Sequence, residues 1–203
     1  MNTHQPLPAM AKQPMNTSEL LIRYAAGERD FRNIILSGAE LGGACLNGID
    51  LSRAELVGIN LAEATLSTAN LSEVNLTRAN LTQANLFGAF LSGADLSHAD
   101  LTAANLTESD LSGALLIQAN LSDTLLHLTC LSEANLQGAN LTGARMCGAR
   151  LWKANLGDAN LTGADLCDAN LCEANLQGAN LELADTSEAT LTGAIMPQGH
   201  IYD

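Results

Sequence analysis

Positively charged residues are scarce in this chain, and their scarcity excludes a large class of partners. Lysine and arginine number 9 against 22 aspartates and glutamates, which gives a net charge of −13 at pH 7. No lysine or arginine occurs between Arg78 and Arg145, or after Lys153. Contacts with nucleic-acid phosphates require clustered basic side chains. We therefore expect no direct binding to nucleic acid.

Long hydrophobic runs and targeting signals are also missing. Residues 1–17 contain three of the four prolines and no apolar run, which is typical of a disordered N-terminal lead. We find neither a secretory signal nor an apolar stretch long enough to span a membrane. These features predict a cytoplasmic protein that makes no membrane contact.

No catalytic motif is present. The chain has four histidines: His4, His98, His127 and His200. None has the spacing to a nucleophile and a carboxylate that a catalytic triad requires. The phosphate-binding loop, the dinucleotide-binding glycine motif and H-E-x-x-H are absent as well. We therefore predict a protein that is not an enzyme and that binds no cofactor.

The chain has five cysteines, an odd number that argues against a disulfide framework in a protein without an export signal. Cys147 and Cys167 are twenty residues apart, and Cys172 follows them. A metal site at these three cysteines is an alternative. We recognise no histidine near them in the repeat pattern, and the prediction is that the chain has no metal site.

What the sequence does contain is a period of five residues. From Phe31 to Met196, every fifth residue occupies what we call a core position, 34 times in all, and 30 of these residues are leucine. The residue two places earlier is alanine at 26 of 33 sites. The exceptions are Ile34, Ile49, Ile59, Val74, Ser109, Thr124 and Thr129.

This period fits neither regular secondary structure. Five residues advance an α-helix by roughly 500°, so successive leucines would spread around its surface. In a straight strand, an odd period would send alternate leucines to opposite faces. A chain that bends once in every five residues brings all of the leucines to one interior. The period therefore predicts an all-β solenoid with a ladder of leucines inside it.

The repeated sequence ANLTQ, ADLSH, ANLSD and ANLTG resembles the pentapeptide repeat family, over about four fifths of the chain. The resemblance implies a right-handed quadrilateral β-helix with twenty residues in each coil and about eight coils. It assigns residues 31–196 to the β-helix.

Both ends of the predicted β-helix carry segments that can cover it. Residues 18–30 predict a short capping α-helix, with Thr17 or Ser18 as its N-cap and Gly27 as its stop. Residues 197–203 predict a C-terminal cap or tail, in which Ile201 and Tyr202 fold over the last coil. These two ends resemble cyanobacterial members of the family, including its regulator of heterocyst differentiation.

Outward-facing apolar residues are rare in the repeat, and they mark a candidate surface for protein contact. The predicted contact surface consists of Phe87, Phe90, Leu125, His127, Leu128, Arg150, Trp152 and Lys153. A smaller apolar pair, Leu115 and Ile117, lies on another face. A candidate acidic patch consists of Asp165, Asp168, Asp185 and Glu188, and it could bind a basic partner or a cation.

Two functions remain open from the sequence. The first is a non-catalytic scaffold that binds a protein partner and has a regulatory role in a cyanobacterium. The second follows from the family resemblance, since some acidic pentapeptide repeat dimers mimic duplex DNA and bind type II topoisomerase. The chain has no long C-terminal dimerisation segment, so we expect a monomer and prefer the first function.

Overall fold

The backbone of this protein winds into stacked coils of twenty residues. The computed structural model describes residues 12–203. From Asp30 to Asn175, each residue directly before a core position forms a parallel bridge with the residue twenty places further on. Each coil therefore contains four five-residue segments, and each segment pairs with the equivalent segment of the next coil. The right-handed sense and the quadrilateral section stay predictions.

The core positions form the interior of the coils. From Leu46 to Leu176, every core residue is at most 1% exposed, including Met146. Most of the alanines two places earlier are buried beside them. A small residue at this position lets the backbone come close to the leucine ladder. The predicted leucine interior is confirmed.

The turn after each core position explains the polar residues of the repeat. In many repeats, asparagine or aspartate stands directly before the core position. Its side-chain oxygen then commonly accepts a hydrogen bond from the backbone amide of the residue directly after the core position. Asn60 Oδ1, for example, accepts from Ala62 N at 3.1 Å. The residue two places after the core position then adopts a left-handed backbone conformation, with φ of 59° at Glu63. Asx turns of this kind favour asparagine and aspartate.

The N-terminal cap consists of two short strands and a helix. Strand β1 (Gln13–Pro14) pairs in parallel with β2 (Ile34–Ile35) of the first coil, and helix α1 (Thr17–Ala25) lies between them in the chain. The fully buried side chain of Leu20 joins the leucine core. The helix therefore covers the open end of the first coil, as a solenoid cap does.

Two details of this cap differ from the prediction. The N-cap is Asn16 and not Thr17 or Ser18, because Asn16 is extended and its side chain accepts a hydrogen bond from Glu19 N at 2.9 Å. Gln13 and Pro14, assigned to the disordered lead, are instead held by β1 pairing. Residues 1–11 of that lead lie outside the described residues. Gly27 follows the helix with φ of 99°, as predicted for its stop.

The C-terminal tail pairs with the last coil through its backbone. Ile201 forms an antiparallel bridge with Ile195, and Tyr202 N donates to Ala194 O at 2.8 Å. The side chains of Ile201 and Tyr202 nevertheless stay 64% and 46% exposed. The tail therefore covers one side of the final coil. No helix within residues 12–203 has the length and hydrophobicity needed to cross a lipid bilayer.

Candidate protein-contact surface

One corner of the coils carries two exposed phenylalanine side chains. Phe87 and Phe90 lie on either side of buried Ala89, and they are 39% and 53% exposed. Phe90 bridges Asn70 of the coil before and Asp110 of the coil after. Both phenylalanines therefore stand on a rigid backbone, with their rings projecting from a polar surface.

The same corner becomes apolar again two coils further along. Leu128 is 53% exposed, and Leu125 and His127 beside it are half-buried. Leu128 leans over Gly148 of the next coil, because a Cβ built on Gly148 would lie 2.8 Å from Leu128 Cδ2. Glycine at position 148 thus leaves room for this leucine against the coil surface.

Beneath this corner, the inner column of alanines is interrupted by hydroxyl residues. Thr124 Oγ1 donates to Leu101 O at 3.0 Å, and Thr129 Oγ1 donates to Leu106 O at 2.8 Å. Both threonines are fully buried. Their hydroxyl groups are satisfied by the backbone of the preceding coil, so they fix the segment that carries Leu125, His127 and Leu128.

Trp152 and Lys153 bind to each other and to the next coil. Lys153 Nζ lies 4.3 Å from the centroid of the Trp152 ring, which is a cation–π contact. Trp152 Nε1 donates to Glu173 Oε1 at 3.4 Å, and Lys153 forms an ion pair with Glu173 at 3.5 Å. The polar atoms of both side chains are thus already engaged within the protein.

Arg150 is exposed and bridges Cys130 of the preceding coil through its backbone. Burial raises the pKa of the Cys130 thiol, but hydrogen bonds with Ser112, Ser132 and Arg150 outweigh burial and lower this pKa below its ordinary value. Ser112 Oγ lies 3.0 Å from Cys130 Sγ. This polar group next to the apolar corner gave no signal in the repeat pattern, because it depends on residues of three coils.

The residues of the candidate acidic patch lie in two neighbouring columns. Asp185 follows Asp165 in one column, and Asp168 and Glu188 are exposed in the other. Hydrogen bonds from the hydroxyl and the amide of Ser187 lower the pKa of Asp185. These hydrogen bonds therefore favour the ionised form of Asp185.

The cysteine predictions need two corrections. Cys147 and Cys167 are joined in a disulfide, with their Cα atoms 4.7 Å apart, because the twenty-residue coil stacks them directly. A histidine does accompany them, since His127 lies twenty residues before Cys147 in the same column and Leu128 N donates to Cys147 O at 3.1 Å. Cys172 stays outside this pair and is a free thiol.

A cleft between the cap and the first coil is lined by charged residues that pair with one another. Arg23 Nη2 contacts Glu28 Oε1 at 2.5 Å, and Arg32 Nη2 contacts Asp30 Oδ2 at 2.6 Å. The hydrogen bond from Arg23 lowers the pKa of Glu28, and that from Arg32 lowers the pKa of Asp30. The charges of this cleft are thus paired within the cap and within the start of the first coil.

The family can be identified from the repeat itself. The model of the family described as pentapeptide repeats matches eight copies, at residues 30–53, 54–93, 94–132, 129–166 and 153–185. The chain belongs to the pentapeptide repeat family. No match was found among the curated proteins.

Two solved structures of pentapeptide repeat proteins compare with this one over most of their length. HetL, involved in heterocyst differentiation regulation in the cyanobacterium Nostoc sp. strain PCC 7120, is 36% identical. The alignment covers 93% of this chain and 100% of HetL, with a TM-score of 0.54. QnrB1, a plasmid-mediated fluoroquinolone resistance protein, is 18% identical, with 88% of each chain covered and a TM-score of 0.63. QnrB1 therefore shares the fold.

Proposed function

We propose that this pentapeptide repeat protein is a non-catalytic scaffold that binds a protein partner through one corner of its coils. We call this surface the corner patch, and it consists of Phe87, Phe90, Leu125, His127, Leu128, Arg150, Trp152 and Lys153. The likeness to HetL supports a regulatory role in a cyanobacterium. In this proposal the coils serve as a rigid support, and the partner is recognised by the side chains that they hold outward.

The exposure of Phe87, Phe90 and Leu128 is the observation that carries the proposal. Large apolar side chains are 39–53% exposed here. Other outward columns of the same coils carry asparagine, serine and threonine. Exposed aromatic residues cost solubility, and they are enriched in protein interfaces together with arginine. A rigid backbone also reduces the entropy that must be lost when a partner binds.

Substitutions that restore the residues of neighbouring coils provide the test. Phe87→Thr, Phe90→Asn and Leu128→Gly copy Thr107, Asn70 and Gly148 in the same columns, so the coils should fold normally. The bait is the purified protein with a photo-crosslinking residue at position 127, in extract of the native host. We expect the triple variant to lose the crosslinked partner by at least tenfold, since hot-spot residues each contribute about 2 kcal/mol or more.

Leu115 and Ile117 supply the matched control. Leu115 is 40% exposed on another face, and Leu115→Asn with Ile117→Thr removes apolar side chains that lie away from the corner patch. This control variant should keep the crosslinked partner at the wild-type level. Retention of the partner by the triple variant would contradict the corner patch, as would an equal loss in both variants.

The acidity of the chain favours a second candidate function, a DNA mimic that binds type II topoisomerase. A net charge of −13 is suited to a basic DNA-binding surface. If this candidate is correct, micromolar concentrations of the protein should protect the supercoiling activity of gyrase from an inhibitor. Light scattering should then show that the protein is an end-to-end dimer. A monomer with no effect on supercoiling would exclude it and leave the scaffold.

A further inference from the structure

We propose that reduction of the Cys147–Cys167 disulfide creates a metal site for zinc or a similar thiophilic divalent cation. The ligands are the two thiolates, the Asp165 carboxylate and the His127 imidazole. This metal site goes beyond the proposed function: it shares His127 with the corner patch and uses none of the apolar side chains of that patch. His127, Cys147 and Cys167 each follow a core position in one column of the coils, and Asp165 precedes the core position next to Cys167.

The ligand atoms of three of these residues already lie together. The sulfurs of Cys147 and Cys167 and a carboxylate oxygen of Asp165 are all within 4.8 Å of one another, and all three residues are half-buried. Two thiolates on a tetrahedral zinc, each at about 2.3 Å, are about 3.8 Å apart. The Cα separation of 4.7 Å accommodates that distance, so the backbone of the stacked coils does not have to move.

His127 supplies the fourth ligand from the preceding coil. Its backbone is held beside that of Cys147, since Leu126 N donates to Arg145 O at 2.7 Å and Leu128 N donates to Cys147 O at 3.1 Å. The column therefore reads His127, Cys147, Cys167 at one-coil intervals. The proposal requires the half-buried imidazole to rotate about χ1 so that a ring nitrogen points toward the thiolates. Nitrogen, sulfur and oxygen together form a donor set that zinc accepts.

The charges around the column favour a cation. Asp185 lies in the next coil beside Asp165, and Asp168 and Glu188 extend the negative surface. Arg145 precedes Asp165 in its column, and within residues 12–203 we find no ion pair between them at 4.0 Å or less. Three further carboxylates therefore outweigh the two guanidinium groups, of Arg145 and Arg150, that flank Cys147 in the chain. This arrangement gives the candidate acidic patch a role in attracting the metal ion.

The switch between the two states is chemically balanced. A dithiol reductant transfers two electrons and two protons to the disulfide, so that the S–S bond breaks, two thiols form and the reductant becomes a disulfide. The divalent cation then displaces the two thiol protons and binds the thiolates. Thiol–disulfide exchange with a small-molecule disulfide, which takes up the two electrons and becomes a dithiol, restores the Cys147–Cys167 bond. The cation is then released, because a disulfide sulfur has no thiolate charge to offer. Metal binding is thus confined to reducing conditions.

Cobalt is the probe for this site, because its thiolate charge-transfer absorbance reports sulfur ligands directly. The full chain is reduced with excess dithiol, which is then removed under anaerobic conditions, and Co²⁺ is titrated. We expect one Co²⁺ per chain, with a thiolate charge-transfer band that zinc abolishes by displacing cobalt. The oxidised chain should show no such band. Absence of the band in the reduced chain would overturn the proposal.

Single substitutions identify the ligand set. Each replaces one ligand by a residue type that occurs elsewhere in the repeat. Cys147→Ser and Cys167→Ser should each abolish two-thiolate binding, whereas Cys45→Ser and Cys172→Ser should bind cobalt as the wild type does. His127→Thr and Asp165→Asn should keep the band and weaken binding by at least about tenfold. A band that survives both Cys147→Ser and Cys167→Ser, or that is lost in Cys172→Ser, would refute the site. Unchanged affinity in His127→Thr and Asp165→Asn would refute the four-ligand set.

Discussion

The residue two places after each core position holds the backbone strain of the repeat. Within residues 12–203, twenty non-glycine residues have positive φ, and all of them lie at this position. The left-handed conformation costs an ordinary residue roughly 1–2 kcal/mol. Glycine avoids that cost but loses more conformational entropy on folding. The repeat therefore accepts both glycine and longer side chains at this position, without a strong preference for either.

Gly163 and Gly42 form a matched pair for measuring this strain. A Cβ at Gly163 would have open space, but φ is 65°; Gly42 has no positive φ, and a Cβ there would make only ordinary contacts. We expect Gly163→Ala to lower the free energy of unfolding by about 1 kcal/mol. Gly42→Ala should be neutral or slightly stabilising. Denaturant unfolding of both variants measures the difference, and equal effects would contradict the strain.

Cys130 should become a thiolate at a lower pH than an ordinary cysteine. Its hydrogen bonds with Ser112, Ser132 and Arg150 lower the pKa despite burial, and the thiolate is the form that reacts with alkylating agents. Ser112→Ala removes one of these hydrogen bonds and so raises the pKa of the thiol. The increase in the alkylation rate of Cys130 with pH should therefore occur at a higher pH in this variant than in the wild type. Mass spectrometry of iodoacetamide labelling against pH measures this shift. Ser92→Ala, in the same column but further away, should leave the profile unchanged.

The capping helix α1 shows how one side chain defines an element. The side chain of Asn16 accepts a hydrogen bond from the backbone amide of Glu19 and thereby satisfies one of the unpaired N–H donors of the first turn. Arg23 pairs with Glu19 and Glu28, and Tyr24 Oη donates to Asn47 O at 2.9 Å. The helix is therefore attached to the first coil by the hydroxyl group of Tyr24 as well as by buried Leu20, whereas the ion pairs of Arg23 lie within the cap.

Asn16→Ala should loosen this helix. Loss of an N-cap costs about 1 kcal/mol, which corresponds to about fivefold faster amide exchange where exchange proceeds by local opening of the helix. Hydrogen exchange of residues 17–25, followed by mass spectrometry, is the measurement. Thr17→Ala and Ser18→Ala should change it little, since neither residue is the cap. A larger effect at Thr17 or Ser18 than at Asn16 would show that the cap is misassigned.

Along the whole molecule, the protection of backbone amides from hydrogen exchange should decrease toward the last coil. Core residues from Leu46 to Leu176 are at most 1% exposed, whereas Leu181 and Leu191 are half-buried and Leu183 is 84% exposed. Within residues 12–203 we find no backbone acceptor for the amides of Leu181 and Thr186. In a solenoid each coil is stabilised only by its neighbours, so a coil with one neighbour opens first.

Hydrogen exchange along the chain tests this gradient. Amides of residues 181–191 should exchange markedly faster than those of residues 91–146, which have coils on both sides. Leu183→Gly serves as a control, because it relieves a left-handed, exposed leucine without adding a neighbouring coil. This variant should leave the gradient in place. Uniform protection from the first coil to the last would contradict the nearest-neighbour description.

Much of this fold can be read from one repeat unit. A period of five residues with leucine at the core position is a local property, so the burial of Leu116, Leu136 and Ala134 follows from their place in the pattern alone. The outward exposure of Phe87, Phe90 and Leu128 follows in the same way. A pattern that returns one side chain to the interior at each bend determines inside and outside residue by residue.

Contacts between coils could be identified only from the tertiary structure. The pairing of Cys147 with Cys167, the position of His127 beside them and the hydrogen bond from Thr129 to Leu106 all depend on how many segments close one coil. A five-residue unit contains no information about that number, because it is set by how the turns add up in three dimensions. The interior was thus encoded locally, whereas the cysteine column arose from packing between coils whose residues are twenty places apart in the chain.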